Sequence, residues 1–487
     1  MVEELAEILT TKLGLEANVW GVWLQIALSV GIVATAFLPG ISLIAMFSIW
    51  WERKVAGHIQ SRLGPMHVGG WHGWAQSIAD GVKLILKEDL IPQQADPFLF
   101  RLAPYLAFAP VFAAFVAIPF GPQFVFEKGL NIGVLYLLAV LSVEVMGTIL
   151  AGWGSASKWA IYGAMREACQ IVSYEIPLGI AILCGVLVAG TLNMLELSYL
   201  QGGGLSNWFV FHSPFLMAAF LLYYIASIAS NKRAPFDLPE SESELVAGFH
   251  TEYSGLRFSF FFFAEYAGMF VIGAIQSMLF LGGWNSPFGS YDPVYMMLGY
   301  DAVVAGQAFF EGTVSAAGGL NATATAMQLN SGFALIVLNL YCMLWVVLKT
   351  FTLVFTLIWL RWTLPRIRID QVLYACVKVL LPLSLVVLTF NAVWVAFVDT
   401  PVPGFEVEPI RLTHLVGPIS GVQHFTQILM SVIGIGFVAW MGGIVLWAFI
   451  HRDKQPRKTL FPDVMPVGRE VCFTDEQAAE AEPEPAG

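Results

Sequence analysis

Charge is scarce in this sequence: Asp, Glu, Lys and Arg together make up 12% of 487 residues, about half the roughly 25% of an ordinary soluble domain. Hydrophobic residues reach 57%, more apolar surface than a soluble core needs. Cysteine is sparse as well. Cys169, Cys184, Cys342, Cys376 and Cys472 stand far apart, with no C-x-x-C spacing and no nearby His, which argues against an iron–sulfur cluster or a zinc site, so no metal is expected. No G-x-x-x-x-G-K sequence occurs, and Gly202 to Gly204 follows no strand pattern; nucleotide binding would belong to a partner. The acidic segment 1–16 has neither a basic n-region nor a small-residue cleavage site, and no removable signal peptide is read.

What is present is a series of long apolar runs. Crossing the hydrocarbon layer, about 30 Å thick, takes about 20 helical residues. Nine runs qualify, at approximately 22–49, 102–121, 131–153, 169–190, 213–230, 258–281, 333–360, 371–397 and 425–450. They are continuously apolar rather than alternating in period two, which favours helices over a β-barrel. The expected fold is an all-α polytopic membrane protein, a bundle of about nine transmembrane helices with an amphipathic interfacial helix. Nineteen of the 24 Lys and Arg residues fall in segments 50–101, 154–168, 231–257, 361–368 and beyond 450, whereas Lys12, Lys128 and Arg411 fall on the other side. The positive-inside rule then puts the N-terminus outside and the C-terminus inside.

Four parts follow from this reading: an N-terminal segment 1–21, a membrane domain 22–397 with eight spans, an extension 398–450 with the ninth, and a cytoplasmic tail 451–487. The tail ends in an acidic, Pro- and Ala-rich stretch that cannot bury a core and is expected to be disordered. The outer loops 191–212, 284–332 and 398–424 are rich in Gly, Ser, Thr and Asn and read as spacers or lids.

The inner segments carry the chemistry. The first run passes into Trp50-Trp51-Glu52-Arg53-Lys54 and Gln60-Ser61-Arg62-Leu63-Gly64-Pro65. Trp and Arg at this level also serve as a simple interfacial anchor; Glu52 is not explained that way. Residues 71–88 read as an amphipathic helix, with Trp71, Trp74, Ile78, Val82 and Ile85 at three- and four-residue steps and Asp80, Lys83 and Lys87 opposite, suited either to the membrane surface or to a partner. Asp237, Glu240, Glu242 and Glu244 lie within eight residues. Capping boxes would account for two of these acids at most; carboxylates this close repel, raising pKa values toward neutrality and suiting a proton-linked role. Glu144, Glu175, Glu265, Lys349 and Lys378 lie inside apolar runs, where an ionisable group is costly unless paired, hydrated or neutral. Static Glu–Lys pairs are the bland alternative. Three acids against two lysines leave one over, which favours a hydrated proton relay.

The ordered motifs Glu52-Arg53-Lys54, Arg62-x-Gly64-Pro65, Ala79-Asp80-x-x-Lys83, Ser173-Tyr174-Glu175, Ala234-Pro235-Phe236-Asp237-Leu238, Glu240-x-Glu242-x-Glu244-Leu245-Val246, Glu252-Tyr253, Ala264-Glu265-Tyr266 and Arg361-x-Thr363-Leu364-Pro365-Arg366 together resemble one family, from about residue 40 to 397. It is the H-type membrane subunit of bacterial respiratory complex I, whose mitochondrial counterpart is the first membrane subunit of the proton-pumping NADH:quinone oxidoreductase. The resemblance implies a subunit, inactive alone, that forms much of a quinone tunnel between the hydrophilic and membrane arms and couples quinone reduction to proton translocation. It implies Glu52, Arg53, Arg62, Asp80, Lys83, Asp237, Glu240, Glu242, Glu244, Glu252, Arg361, Arg366 and Arg368 at the quinone cavity or its junction, with Glu144, Glu175, Glu265 and Lys349 as relay. It further implies no cofactor on this chain, quinone as substrate, flavin and iron–sulfur clusters in partner subunits, and other complex I subunits and lipid as partners. No nucleic-acid partner is expected, and a bacterial inner membrane is favoured over the mitochondrial one. The long loop near 284–332, the ninth run and the acidic tail depart from the family pattern. The competing readings are the homologous subunit of an energy-converting hydrogenase, against which the Glu240, Glu242, Glu244 set speaks, and a secondary transporter, which calls for internal repeats that are not evident.

Overall fold

A computed structural model describes residues 38–125, 130–238, 245–310, 327–330 and 332–398, with Leu429 and Val432 as isolated positions. Among the described residues every regular element is helical. The elements are α1 (Leu38–Ile59), α2 (Gln76–Leu86), α3 (Pro97–Phe115), α4 (Gly133–Gly154), α5 (Lys158–Ala189), α6 (Met194–Leu200), α7 (Pro214–Ser230), α8 (Gly255–Phe280), α9 (Pro293–Leu298), α10 (Ala302–Phe310), α11 (Gly332–Thr363) and α12 (Ile369–Tyr374), which continues through a π-helical turn into α13 (Leu381–Val398). Among the described residues, six spans are long and apolar enough to cross a membrane: α3, α4, α5, α8, α11 and the run Ile369–Ala396. The apolar helix α7, at 17 residues, is shorter.

Local chemistry sets these boundaries. Asp96 caps α3 by accepting from the backbone N–H groups of Phe98 and Leu99, with Pro97 in the first turn, where its missing N–H costs nothing. Ser213 and Pro214 start α7 in the same way. The α5 helix stops at Gly190, whose φ of 69° is the left-handed cap open to glycine.

The bundle is built around α8, the most deeply buried of the six spans, which packs against α3, α11 and α1. Its sequence is apolar on all sides, as a central helix requires. Small residues let neighbouring backbones approach. A Cβ on Gly147 of α4 would lie 2.5 Å from the backbone nitrogen of Ala107 on α3, and one on Gly152 would collide with the Ala164 Cβ on α5.

Several sequence expectations change. The first run does not end at 49; α1 continues to Ile59, so Glu52, Arg53 and Lys54 are helical residues. The α5 helix begins at Lys158, not near 169, because Ala160, Gly163, Ala164, Glu167, Gln170, Ile171 and Tyr174 form a buried face that continues N-terminal to the apolar run. The amphipathic segment breaks at His72 (φ 55°) before α2 begins. The segment expected as a polar spacer from 284 is folded over its described part: Trp284 and Tyr295 are fully buried, and α9 and α10 pack on α11 and α6. The ninth run and the acidic tail lie outside the described residues, Leu429 and Val432 excepted.

Candidate functional site

The charged residues gather where the ends of α1, α8 and α11 meet the loop after α7. Glu52, buried on α1, is bound by Arg361 from the end of α11, and its other oxygen lies 3.6 Å from Arg233. The Arg233 guanidinium also reaches Glu265 of α8 at 3.5 Å and sits over the Tyr266 ring, 4.4 Å from its centroid. His250 approaches Glu265 at 4.0 Å. A chain Arg361–Glu52–Arg233–Glu265 thus links three elements through one loop cation. Buried charges survive only when paired in this fashion.

The preceding residue serves a second set. Lys232 lies 2.5 Å from Glu167 of α5 and 3.2 Å from Glu144 of α4. Burial opposes the charge on this ammonium, yet the two carboxylates outweigh it and raise its pKa above the ordinary lysine value. Lys232 has a φ of 56°, a left-handed conformation that costs a non-glycine residue about 1–2 kcal/mol and sends adjacent side chains apart. Gln170 holds the loop from both sides, donating to the carbonyls of Ala229 at 2.9 Å and Phe236 at 2.6 Å.

Three cavities border this network. The smallest, about 40 Å³, is lined by Glu144, Glu175, Lys232 and Glu265 among others, room for about two or three waters. Glu175 accepts a hydrogen bond from Ser142 there. The second, about 410 Å³, is walled by Glu52, Arg53, Arg62, Phe262, Tyr266 and Arg361. The third, about 430 Å³, is walled by Asp237, His250, Phe258, Trp362 and Arg366, and shares Phe262, Arg361 and Trp362 with the second. The mouth of the second depends on a tight fold-back: a Cβ on Gly57 would fall 2.8 Å from the backbone nitrogen of Gly64, so this crossing admits only glycine without a shift.

The remaining predicted residues fall around these walls. Arg53 binds Asp80, and Lys83 lies 3.2 Å from the same carboxyl; burial pushes Asp80 up, but the Arg53 and Lys83 contacts prevail and hold it below the usual range. That contact, with Ser77 donating to the Met46 carbonyl at 2.9 Å, seats α2 across α1. Asp237 accepts from Arg366 at 2.9 Å. Burial pushes its carboxyl up, with Arg366 opposing. Arg368 is exposed at the start of α12, and Glu252 is half-buried and lines none of the three cavities. Glu240, Glu242 and Glu244 lie outside the described residues.

Lys349 is not brought to the glutamates. Its three ammonium protons meet the carbonyls of Leu281 (2.7 Å), Gly283 (2.9 Å) and Asn285 (2.6 Å), and it stands 4.2 Å from the Trp208 ring centroid. These carbonyls lie beyond the far end of α8, about 24 Å from Glu265 at 1.5 Å per residue. Lys378 is exposed beside Tyr374. The static Glu–Lys pairs considered for these two lysines are therefore absent among the described residues, and the cation facing Glu144 is Lys232.

Sequence pattern alone does not single out Glu167, Lys232, Arg233, His250 or Tyr266 as site residues. Lys232 and Arg233 resemble headgroup anchors by position, and Glu167 follows Arg166 before the apolar run. The signal that could have found Glu167 is the small-residue face Ala160, Gly163, Ala164, which extends the α5 period backward.

Fold and site define a multi-pass helical membrane protein in which buried ion pairs separate two ligand-sized cavities from a smaller one in the bundle. The family model described as NADH dehydrogenase matches residues 32–392. The chain is 43% identical over 376 residues to the NADH-quinone oxidoreductase H subunit of Chlorobium luteolum, covering 76% of this chain and 91% of that one. It is 44% identical over 371 residues to the H subunit of Chlorobaculum tepidum, with 75% and 92% covered, and 39% identical over 371 residues to that of Geobacillus thermodenitrificans, with 76% and 95% covered. The chain belongs to the NADH dehydrogenase family, and its relatives are the H subunits of NADH-quinone oxidoreductase.

Proposed function

We propose that this chain is the membrane subunit of a proton-translocating NADH:quinone oxidoreductase that walls the quinone cavity and passes the consequence of quinone reduction into the membrane. The observation that carries the reading is the chain Arg361–Glu52–Arg233–Glu265, which runs from the wall of the two large cavities to the wall of the small one. Reducing a quinone to quinol takes up two protons. Charge appearing in the larger cavities acts first on Arg361, Glu52 and Arg233, and any weakening of the Arg233–Glu265 contact alters the field on Glu265, and through the small cavity on Glu144 and Glu175.

Residue roles follow. Arg53, Arg62, Arg361 and Arg366 supply positive potential around the head group; Phe258, Phe262, Tyr266 and Trp362 supply apolar wall for the substrate. Asp80, bound by Arg53 and flanked by Lys83, fixes α2 at the entrance. We assign Asp237 and the loop acids Glu240, Glu242 and Glu244 to the junction with the hydrophilic arm, whose subunits carry flavin and iron–sulfur clusters. Glu144, Glu175 and Glu265, now with Glu167 and Lys232, form the proton-linked set. The charged end faces the cytoplasm of a bacterium, by the distribution of Lys and Arg.

Isolation of the tagged full chain in mild detergent tests this. Recovery of flavin and iron–sulfur subunits with inhibitor-sensitive quinone reduction is expected; recovery with a nickel–iron hydrogenase subunit, or alone, overturns it.

A further inference from the structure

The segment between α8 and α10 is built inside out. Of its two carboxylates, Asp301 is half-buried and caps α10, accepting from the backbone N–H of Val303 at 2.9 Å, and Asp292 is fully buried, accepting from Ser286, from the Tyr341 hydroxyl at 2.8 Å and from the backbone N–H of Val294 at 2.9 Å. Trp284, Asn285, Ser286 and Tyr295 are buried with it. The residues turned outward are Phe288, Ser290, Tyr291, Pro293, Met296 and Met297, with Tyr291 85% and Met297 79% exposed. No charged side chain is exposed between Leu281 and Tyr300. A surface patch of this composition in water is an exception that calls for a cover.

The level of the patch along the bundle identifies the cover. Arg361, bound to Glu52, with exposed Trp359 beside it, marks the edge of α11 at the charged end, since Arg and Trp take the membrane boundary. A hydrocarbon layer of about 30 Å spans about 20 residues of helix, which carries the opposite edge to the neighbourhood of Tyr341. Tyr341 is the residue that binds Asp292, and Trp345, one turn closer to the centre, meets the Phe288 ring with centroids 6.3 Å apart. The outward face of α11 next to it, Leu340, Leu344 and Leu348, is exposed and apolar, and the patch continues that face.

We propose that residues 288–297 form an interfacial foot, set into the headgroup and upper acyl layer of the bilayer at the end of the bundle opposite the charged cavities, with phospholipid as its partner. Aromatic rings and methionines wedge among the upper acyl carbons while Asp292 and its hydroxyl partners stay inside the protein. With no exposed charge, the foot discriminates by depth and not by headgroup sign. The foot depends on the membrane-crossing character of α11 and is independent of the quinone reading.

The test uses the full chain, isolated with the subunits that accompany it and reconstituted in phosphatidylcholine–phosphatidylethanolamine vesicles. These contain a phosphatidylcholine bearing a diazirine either beside the glycerol or at the acyl terminus. After irradiation, peptides are mapped by mass spectrometry. The peptide containing 288–297 is expected to take at least three-fold more label from the shallow probe than from the deep one, and Leu344 to Phe355 the reverse. Replacing half the phosphatidylcholine by phosphatidylglycerol is expected to change the yield less than two-fold. Absence of label from 288–297 while α11 is labelled, capture of Tyr291 by another protein subunit in its place, or dependence on the anionic lipid would each overturn the proposal.

Discussion

Lys232 and Arg233 are consecutive in the chain yet hold different carboxylates: Lys232 lies against Glu144 and Glu167, whereas Arg233 lies between Glu52 and Glu265. Four helices, α1, α4, α5 and α8, are tied to one loop through two neighbouring cations. Movement of that loop therefore changes both charge sets together.

Replacing Arg233 separates the two. Arg233→Ala leaves Arg361 as the cation on Glu52 and removes the guanidinium from the Tyr266 face. Inhibitor-sensitive quinone reduction is expected to fall at least ten-fold, while electron transfer from NADH to a soluble acceptor, taken before the quinone step, stays within two-fold. Arg233→Lys, keeping the charge but not the bidentate reach, should fall between.

Lys232→Met strands the buried carboxylate of Glu167 and takes the cation from the half-buried Glu144, and removing one partner of a buried ion pair costs about 3–5 kcal/mol. A lower midpoint in thermal unfolding of the isolated assembly is expected. The double variant Lys232→Met with Glu167→Gln should recover part of the loss, because the buried negative charge goes with the lysine; a double variant no more stable than the single one speaks against the pairing.

His250 gives a pH dependence. Burial pushes its imidazole down to about 4, with Glu265 opposing and Lys232 adding. The unfolded chain, with an ordinary imidazole near 6.5, binds the proton first, so stability is full above about pH 6.5 and is lost as pH falls toward 4, on the order of 3 kcal/mol. His250→Gln should flatten the unfolding midpoint across that window. An unchanged slope would place the pH sensitivity elsewhere.

Lys349 is expected to act as a fixed cation. Its three protons are all taken by carbonyls, and a group so capped has no acceptor waiting to receive a proton. Lys349→Met should lower thermal stability by several degrees and leave the number of protons moved per NADH unchanged. A changed ratio would return Lys349 to the relay.

What could be read from sequence follows from how each residue announces itself. Glu144, Glu175 and Glu265 interrupt apolar runs, and the structure collects all three around one small cavity. Asp80 with Lys83 stands out because one helix turn separates opposite charges. Glu167, Lys232 and Arg233 stayed hidden because composition marks where a run of apolar residues begins, not where a helix begins, and a loop cation that folds back into the bundle has the same sequence as one that stays at the lipid headgroups. The outer segment misled for a related reason. Among its described residues, Gly282, Gly283, Asn285, Ser286 and Gly289 are buried beside Trp284 and Tyr295, and the exposed positions from 288 to 297 are, Ser290 apart, apolar or aromatic.

The central claim is that quinone lies against this chain between Glu52 and Asp237. A photoreactive quinone analogue applied to the intact, turning-over assembly tests it most directly, with adducts mapped by mass spectrometry. Adducts on Phe262, Tyr266 or Trp362, suppressed by excess quinone and reduced by Arg233→Ala, are the expected result. Adducts confined to other subunits, or to the lipid-facing side of α11, would contradict the account.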